Sequence, residues 1–442
     1  MLVVYLLVCV ALIVVFTSRY AIHPFVVLLL VALLYGFLAG MPLDVIIAAV
    51  NEGFGRTLGG IGLIIILGVI IGAFLENTGG AYTLAQGTLK IFGKKNVVPT
   101  MGVMGYVVSI PVFADSGFML LSALKKSLCK NAGISVAGAT IALSLGLTVS
   151  HTLIPPTPGP IAAAALLNAD LGWVLIVGIP ISLVALVVSI LFALYVGRRF
   201  YIDPCPEHTE EDLTARAKAA PGAFHSTLPI IVPIVLILAK ALLKVFDLPK
   251  STWVDLVMFI GEPFVALLIG VLLAFTLPKK LDRAMFSNDG WIGTALVSCA
   301  SIILITGAGG IFGNVLQKSG IADIIGSVVT EWSLGIWLPF LLAAAIKSAQ
   351  GSSTVALITA ASIMAPLMET LGFVSEFDKA LMVIALGAGS AVVSHANDSF
   401  FWVVTQMSGM DVRTGYRTHT LGTLVMGSSA ALAVFITHLI FS

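Results

Sequence analysis

The sequence predicts an all-α polytopic membrane protein built from two inverted repeats, each with a re-entrant hairpin and a broken helix. Three observations lead to this fold class. Of the 442 residues, 59% are hydrophobic and only 10% are charged, whereas about a quarter of a typical soluble domain is charged. Apolar runs of membrane-crossing length recur along the chain. Related polar segments interrupt these runs at corresponding places in the two halves.

About ten segments are predicted to cross the bilayer, because a span needs roughly 20 mostly apolar residues. They lie near 2–18, 22–39, 54–75, 136–168, 171–196, 228–246, 254–277, 291–316, 379–410 and 418–441. The first run has no basic residue before it and no small-residue cleavage site after it, which favours a span over a signal peptide. A hydrophilic linker at 197–226 then separates an N-terminal repeat, 1–196, from a C-terminal repeat, 227–442.

Two further regions have apolar arms that are too short to cross, and we expect each to form a re-entrant hairpin. In the first, the arm 97–113 leads into Ala-Asp-Ser-Gly at 114–117. In the second, the arms 334–346 and 355–368 flank Lys-Ser-Ala-Gln-Gly-Ser-Ser-Thr at 347–354. Irregular backbone at this depth is tolerated where it lines a cavity or is buried in protein. The alternative in each region is an ordinary pair of spans joined by a loop.

The distribution of positive charge predicts the orientation. If each hairpin returns to its starting side, 16 of the 23 lysines and arginines fall on one side, 6 fall on the other, and Lys347 stays inside the second hairpin. Cytoplasmic loops are the ones enriched in these residues. We therefore expect both termini outside the cytoplasm and the linker inside it.

Three landmarks recur in the same order at nearly one spacing, which indicates an internal duplication. Glu-Asn-Thr-Gly-Gly-Ala at 76–81 matches Gln-Lys-Ser-Gly-Ile-Ala at 317–322, an offset of 241. The hairpin tips are offset by 235, and the Val-Ser-His segments at 149–151 and 393–395 by 244. Five crossings in each half turn the second copy upside down, as in many secondary transporters with a midplane site.

The first helix break is predicted in His-Thr-Leu-Ile-Pro-Pro-Thr-Pro-Gly-Pro, residues 151–160. Four prolines in six residues remove backbone donors and impose extended geometry, so the helix ends inside the membrane. The exposed N–H groups of a broken helix attract carboxylates. The alternative is a kink without a ligand. The candidate substrate-binding residues here are His151, Thr152, Pro156, Thr157 and Gly159.

The second break is predicted in Ser-His-Ala-Asn-Asp-Ser-Phe-Phe-Trp, residues 394–402. Its polar side chains are costly in a membrane unless they face a cavity or one another. His395 and Asn397 are candidate substrate ligands. Asp398 is expected to bind a proton or a cation, or alternatively to cap the following half-helix.

The two hairpin tips offer hydroxyls and glycine-exposed amides, which suit a carboxylate or a hydroxyl-rich solute. Lys347 either meets an anionic substrate or pairs with Asp115 or Asp398. The candidate binding residues at the tips are Asp115, Ser116 and Gly117 in the first, and Lys347, Gln350, Gly351, Ser352, Ser353 and Thr354 in the second.

Four residues are candidates for proton coupling. Asp115 and Asp398 are carboxylates, and His151 and His395 are imidazoles of the type that titrates near physiological pH. For either histidine, the alternative is a hydrogen-bonded packing residue.

Enzyme signatures are missing from the sequence, which has no Walker motif, no G-x-S-x-G and no H-E-x-x-H. The four cysteines follow no metal or disulfide spacing. A net charge of +1 provides no field that attracts nucleic acid. We therefore expect no catalysis, no cofactor, no metal and no nucleic-acid partner, and transport driven by an ion gradient or the solute's own gradient.

The chain resembles the gluconate permease family of gluconate:proton symporters, within a superfamily of ion transporters. The resemblance rests on residues 151–160, on Ala-Ile-Lys-Ser-Ala-Gln-Gly-Ser-Ser-Thr-Val-Ala at 345–356 and on residues 394–402, and length and hydropathy agree over essentially the whole chain. It implies two re-entrant hairpins, two broken helices and uptake of gluconate or related sugar acids with protons across the bacterial inner membrane. Some members of the family carry D-serine.

The chain departs from the gluconate carriers at the first hairpin tip. Those carriers tend to have a glutamate and an aromatic residue where this chain has Ala114, Asp115 and Ser116, and this smaller tip leaves a hydroxy acid other than gluconate open. We expect proton-coupled uptake of a sugar acid or small hydroxy carboxylate. The alternatives are a D-serine or glycerate symporter, a sodium-coupled carrier, a sodium–proton exchanger and, less favoured, a pore. The expected partners are the anionic substrate, protons and the lipid bilayer, and homo-oligomerisation stays open.

Overall fold

A computed structural model of the protein describes residues 1–92, 96–204, 220–245, 251–321 and 335–441. Every regular element in these ranges is helical. In chain order the α-helices are α1 Leu2–Ser18, α2 Pro24–Leu38, α3 Leu43–Asn77, α4 Gly80–Phe92, α5 Val97–Val108, α6 Ala114–Asn131, α7 Val136–Leu153, α8 Pro158–Leu166, α9 Leu171–Gly197, α10 Ala223–Val245, α11 Thr252–Ile260, α12 Pro263–Ala274, α13 Trp291–Lys318, α14 Trp337–Gln350, α15 Ser353–Met364, α16 Glu376–Ala391, α17 Ser399–Met407, α18 Val412–Gly415 and α19 Leu421–Phe441. Two 3₁₀ segments, Arg283–Phe286 and Ala365–Leu367, and a π-helical segment, Tyr416–Thr420, complete the described structure.

The prediction of an all-helical protein with several spans is confirmed. Five described helical stretches are long and apolar enough to cross a membrane, or up to seven if each of two bent pairs counts as one span. The five are Val136–Leu166, Leu171–Gly197, Ala223–Lys244, Arg283–Lys318 and Val412–Phe441. The bent pairs are the two parts of α3 and the pair α11–α12, which bends by 69°.

The predicted count of about ten spans exceeds the number that helix length and hydropathy support among the described residues. Helix ends interrupt several of the apolar runs on which the count rested. The run 22–39 forms a helix of only 15 residues, the run 254–277 divides ahead of Pro263, and the run 379–410 divides between α16 and α17. Hydropathy measures transfer to lipid, whereas proline and local capping decide where a helix stops.

The long α3 begins earlier than the predicted span 54–75. Its 35 residues start at Leu43 and extend over about 50 Å at 1.5 Å per residue, more than the bilayer core. The added N-terminal turns include polar residues such as Glu52, which forms an ion pair with Lys318 at 2.6 Å. A sequence window of apolar residues therefore underestimates a helix whose end projects beyond the lipid.

Close glycine contacts pack α3 against α13. A Cβ on Gly53 would lie 2.5 Å from the Gly310 carbonyl oxygen, and the Asn314 side chain donates to the Ala49 carbonyl at 2.9 Å. At the other end of the pair, Phe74 meets the Trp291 ring at 5.2 Å. The start of α3 thus lies against the end of α13, and the end of α3 against the start of α13, so the two helices run antiparallel.

The helices are interrupted at the four places that the polar motifs predicted. Residues 109–113 separate α5 from α6, and 154–157 separate α7 from α8. Gly351 and Ser352 separate α14 from α15, and 392–398 separate α16 from α17. Re-entry of the two hairpins stays a prediction.

Two predicted features lie partly outside the described residues. The linker 197–226 is described at its ends only, where α9 continues to Gly197 and α10 begins at Ala223, and 205–219 fall outside. The last residue of the repeat landmark 317–322 and the first residue of the hairpin arm 334–346 also fall outside. The division of the chain into domains therefore stays a prediction.

Candidate functional site

The first break forms because Pro155 and Pro156 cannot donate the backbone hydrogen bonds that would extend α7. The Thr157 hydroxyl donates to the Ile154 carbonyl at 2.5 Å, which satisfies one acceptor that the helix end leaves free. α8 then starts with Pro158 in its first turn, where a missing N–H costs nothing.

The second break is built around Asp398. Its Oδ1 accepts from the Phe400 backbone N–H at 3.0 Å and so caps α17, while the Ser394 hydroxyl donates to its Oδ2 at 2.5 Å. Val393 takes up a φ of 56°, which is rare for a β-branched residue and is typical of a backbone held by its surroundings. The capping role predicted as an alternative for Asp398 is therefore present in the structure.

Lys347 pairs with Asp398. The Lys347 Nζ lies 2.5 Å from Asp398 Oδ2 and also donates to the Gly351 carbonyl. Lys347 is 1% exposed and Asp398 is 7% exposed, so water stabilises these charges little, and losing one partner would leave the other uncompensated. Lys347 was predicted either to meet an anionic substrate or to pair with Asp115 or Asp398. In this conformation it pairs with Asp398.

The second hairpin tip is attached to the second break. His395 Nε2 lies 2.9 Å from the Ser348 carbonyl oxygen, and the Asn397 amide donates to the Ser348 and Ala349 carbonyls at 2.9 and 3.2 Å. These carbonyls belong to the last turn of α14, where intrahelical donors are missing. Gly351 has a φ of 85°, and a Cβ there would lie 2.1 Å from the Asn397 carbonyl oxygen. His395 and Asn397 thus hold the tip in place.

A cavity of about 290 Å³, the central cavity, lies where both tips and both breaks meet. This volume is near the lower end for small-molecule sites, about 300–1,000 Å³. The predicted residues that line it are Asp115, His151, Gln350, Gly351, Ser352, Ser353, Thr354, Asn397 and Asp398. The polar residues lining it that were absent from the prediction are Thr148, Ser394 and Ser399.

Two side chains of the central cavity have buried polar atoms without a hydrogen-bond partner among the described residues. They are Nδ1 of His151 and both amide atoms of Gln350. Buried polar atoms in proteins are nearly always paired, and an unpaired one is costly. Donors and acceptors that face a cavity without a partner are suited to a polar ligand.

A second cavity of about 290 Å³, the flanking cavity, borders the central one and shares Phe113 and His151 with it. Of the predicted residues, Ser116, Pro156 and Thr157 lie here and do not line the central cavity. The flanking cavity also contains the carboxylate of Glu76, which hydrogen-bonds to Ser116. Glu76 stood out in the sequence only as part of the repeat landmark.

Besides Lys347 and His395, three predicted residues line neither cavity and pack behind them. Gly117 lies against Leu147, to which an added Cβ would approach within 2.7 Å. Thr152 is buried and donates to the Thr148 carbonyl at 2.9 Å. An added Cβ on Gly159 would lie 3.2 Å from the Leu357 side chain. In this conformation these residues let neighbouring helices approach closely.

His419 is a buried polar residue that sequence reasoning missed. It is 0% exposed, and its Nε2 and Nδ1 lie 3.1 Å from the hydroxyls of Ser394 and Ser144, respectively. It belongs to the π-helical segment, a rare geometry that often marks functional sites. The signal in the sequence is Thr-His-Thr at 418–420, a polar triplet where the last apolar run begins.

Comparison with known proteins gives a consistent picture. The sequence model that describes the GntP family permeases matches residues 1–440 of this chain. The inner membrane permease YgbN of Escherichia coli K12 is 33% identical, over 93% of this chain and 92% of that protein. The gluconate permease of Pseudomonas aeruginosa is 34% identical, over 92% and 91%. The crystal structure of the YdaH transporter of Alcanivorax borkumensis is similar with a TM-score of 0.67 at 14% identity, over 95% of this chain and 99% of that one. This last likeness concerns the fold.

Proposed function

This chain belongs to the GntP family of permeases, and from that premise we propose that it is a secondary active transporter that takes up a sugar acid or another small hydroxy carboxylate together with protons. It is a transporter and not an enzyme. The name of the Pseudomonas aeruginosa relative supports a gluconate-like substrate. The name of the Escherichia coli relative supports location in the bacterial inner membrane.

The observation that carries the proposal is the unpaired set of polar atoms in the central cavity. His151 and Gln350 line this cavity and have buried donors and acceptors without a partner among the described residues. The hydroxyls of Ser352, Ser353 and Thr354 line the same space. A polyhydroxylated acid supplies hydroxyl groups that both donate and accept, and so it satisfies such a set better than an apolar ligand does.

Helix ends in the central cavity favour an anion. Three helices begin at residues that line it, namely α6 at Ala114, α15 at Ser353 and α17 at Ser399. Each N-terminus carries a partial positive charge of about 0.5 and backbone N–H groups beyond those that Asp398 and Ser352 cap. Together these ends offset the negative charge of Asp115 and provide donors for a carboxylate.

The buried ion pair supports coupling to protons. With Asp398 ionised, Lys347 is neutralised and attracts no further anion. A proton on Asp398 leaves the Lys347 charge uncompensated directly behind the central cavity, which favours binding of a carboxylate. By linkage, the carboxylate favours protonation of Asp398 by the same free energy. Proton and anion therefore bind together, with Asp115, His151 and His395 as the other candidate proton carriers.

The inverted repeats, the two re-entrant hairpins and the external termini are part of the same proposal. The antiparallel pairing of α3 with α13 supports the inversion, because it separates the matching landmarks at Glu76 and Gln317. The domain boundaries of the proposal are 1–196, 197–226 and 227–442.

Uptake by purified protein in proteoliposomes tests the function. We expect an imposed inward proton gradient to drive accumulation of at least one of gluconate, glycerate, lactate and D-serine, and a sodium gradient alone to drive none. Uptake that requires sodium and ignores pH would contradict proton coupling. Saturating uptake without a measurable unitary current separates a carrier from a pore.

A further inference from the structure

A buried chain of hydrogen bonds leads from Asp398 away from the central cavity. The Ser394 hydroxyl donates to Asp398 Oδ2 at 2.5 Å. The same hydroxyl lies 3.1 Å from His419 Nε2, and His419 Nδ1 lies 3.1 Å from the Ser144 hydroxyl. None of the four residues is more than 7% exposed. Three consecutive bonds thus connect the candidate coupling carboxylate to the middle of α7.

The positions of the hydrogen atoms in this chain of hydrogen bonds follow from counting donors and acceptors. Ser394 has one hydroxyl hydrogen, which it donates to Asp398, so His419 Nε2 must carry a hydrogen and donate to Ser394. On the other side of the ring, the Ser144 hydroxyl can donate to either of two acceptors, His419 Nδ1 or the Ile141 carbonyl oxygen at 3.0 Å. When Ser144 donates to Nδ1, the imidazole is neutral. When Ser144 donates to Ile141, Nδ1 can carry a second hydrogen and donate to Ser144, so both charge states of the ring are satisfied.

We propose that His419 relays the coupling proton between Asp398 and the hydroxyl groups of α7, an inference that rests on the transport function proposed above. An imidazole can accept a proton at one nitrogen and release one at the other. The Ser394 hydroxyl connects one of these nitrogens to the carboxylate. His419 touches neither cavity and is therefore distinct from the residues that line the substrate site.

The transfer step balances without a co-reactant. In the doubly protonated ring, the Nε2–H bond breaks and that hydrogen bonds to Ser394 Oγ. The original Ser394 O–H bond breaks at the same time, and its hydrogen bonds to Asp398 Oδ2. The products are a neutral imidazole with hydrogen on Nδ1, an unchanged serine and a neutral carboxyl group. The reverse step returns the proton from Asp398 to His419.

The hydroxyl groups continue along one face of α7. Thr140, Ser144 and Thr148 follow at intervals of four residues, which places them on the same side of the helix about one turn apart. Thr148 lines the central cavity. At the other end, Thr140 donates to the Ser408 hydroxyl at 3.1 Å, and the buried Lys125 donates to the same oxygen at 2.7 Å. Ser144 and Thr148 also donate to backbone carbonyls, so these hydroxyls form a row between the cavity and the side of the protein that carries Lys125, which we expect to be cytoplasmic.

Charged groups and aromatic rings surround His419 and limit which other groups can exchange a proton with it. Asp398 and Lys347 are the charged groups whose fields act on it. The rings of Phe400 and Phe401 lie 5.5 and 6.3 Å from the imidazole and give it an apolar wall. Lys125 stands beyond Ser408, with its ammonium group 4.4 Å from the Phe118 ring.

Proteoliposome transport of gluconate by a His419→Gln variant tests the relay. Glutamine can keep a hydrogen bond to Ser394 but cannot exchange a proton at neutral pH. Exchange of internal for external gluconate at equal pH needs no net proton movement and should proceed close to the wild-type rate. Net uptake driven by a pH gradient should fall by about 100-fold, the lower end for a positioned proton-transfer group. His438→Gln, in α19 and outside this chain of hydrogen bonds, should retain both activities.

Two outcomes overturn the relay. One is pH-driven uptake at the wild-type rate by the His419→Gln variant. The other is an equal loss of exchange and net uptake, because His419 would then serve packing alone. If the His419→Gln variant does not fold, Ser144→Ala must lose pH-driven uptake while retaining exchange. Ser150 is a buried serine of α7 that lies outside this chain of hydrogen bonds, and Ser150→Ala must retain both activities. Normal net uptake by Ser144→Ala overturns the proposal as well.

Infrared difference spectra separate this inference from the transport function. The carboxyl band of Asp398, assigned by its loss in Asp398→Asn, can be titrated without any substrate. We expect His419→Gln to move the midpoint of this band by about one pH unit or more, as for two interacting sites. Identical titrations overturn the relay even if gluconate is transported. If no compound is transported by the wild type, the proposed function fails while the spectra still decide the relay.

Discussion

At the scale of residues, the candidate site consists of one buried ion pair and a set of unpaired polar atoms. The pair Lys347–Asp398 is surrounded by protein, and its charges are matched. His151 and Gln350, which line the central cavity, instead have buried polar atoms without a partner among the described residues. The first arrangement suits a group whose protonation controls charge, and the second suits a ligand that arrives with its own hydroxyl groups.

Asp398→Asn should uncouple transport from protons. The amide can keep the cap on α17 but cannot gain or lose a proton, so Lys347 stays uncompensated at every pH. We expect exchange of gluconate to persist and its pH dependence to flatten, while accumulation against a gradient is lost. Parallel exchange and pH-jump uptake assays in proteoliposomes measure both quantities. Normal accumulation by this variant would remove the coupling role from Asp398.

Gln350→Leu should weaken substrate binding without lowering stability. The amide has no partner among the described residues, so its removal breaks no internal hydrogen bond. One or two lost ligand bonds, each about 0.5–1.5 kcal/mol, predict an increase in Kd of roughly 2- to 160-fold. Calorimetric titration gives the Kd, and thermal unfolding in detergent gives the stability. A large drop in the unfolding midpoint with unchanged Kd would show that Gln350 is structural.

At the scale of elements, the second hairpin and the second break act as one unit. The Asn397 amide and the His395 ring bind the end of α14, and Gly351 leaves room for the Asn397 carbonyl. Because the two pieces share these bonds, a displacement of the hairpin tip also displaces Asp398.

Gly351→Ala should destabilise this unit by more than the cost of placing alanine in a left-handed backbone conformation. Gly351 and Gly372 have nearly the same φ, 85° and 82°, but only Gly351 has a neighbour that an added Cβ would meet, the Asn397 carbonyl oxygen at 2.1 Å. Gly372→Ala should cost about 1–2 kcal/mol from the left-handed conformation, and Gly351→Ala should cost more and stop transport. Unfolding midpoints and uptake rates of the two variants decide this, and equal effects would contradict the contact.

At the scale of the whole molecule, both halves of the chain contribute to the central cavity. Asp115 and His151 come from the first half, and Gln350 and Asp398 from the second. A site between halves can open to either side when the halves move relative to each other. Outside the cavity, Asp170 in the first half contacts the second half, where Lys244 Nζ lies 2.7 Å from its carboxylate.

Asp170→Asn should lower stability at neutral pH and lose that effect in acid. Burial acts to raise the pKa of Asp170, but the hydrogen bond and charge of Lys244, together with the backbone N–H groups of Gly172 and Trp173, outweigh it and hold the pKa below the usual value of 3.8. The stabilisation is therefore present above about pH 4 and disappears as the pH falls below 3.8 through the folded-state pKa. Asparagine retains the cap on α9, so the variant isolates the ion pair. Unfolding midpoints from pH 7 to pH 3 should converge, and a constant difference would contradict the assignment.

Much of this protein follows from the sequence alone. Low charge and long apolar runs determine a helical membrane protein, because hydrogen-bonded backbone in lipid leaves few alternatives. The proline cluster at 155–160 determines a helix break, because the missing donors are a local property. The polar motifs at 347–354 and 394–402 indicated where the cavity forms, since polar side chains in a membrane need a shared polar space.

Only the tertiary structure decided how these pieces combine. Lys347 had two aspartates as candidate partners, and distance in space selected Asp398. Ser116 and Pro156 share motifs with residues of the central cavity but face the flanking one. His419 joined the candidate site through Ser394 and Ser144, with Ser144 275 residues away in the chain. The physical reason is that hydropathy and proline geometry act locally, whereas ion pairs, cavities and proton routes depend on contacts between distant segments.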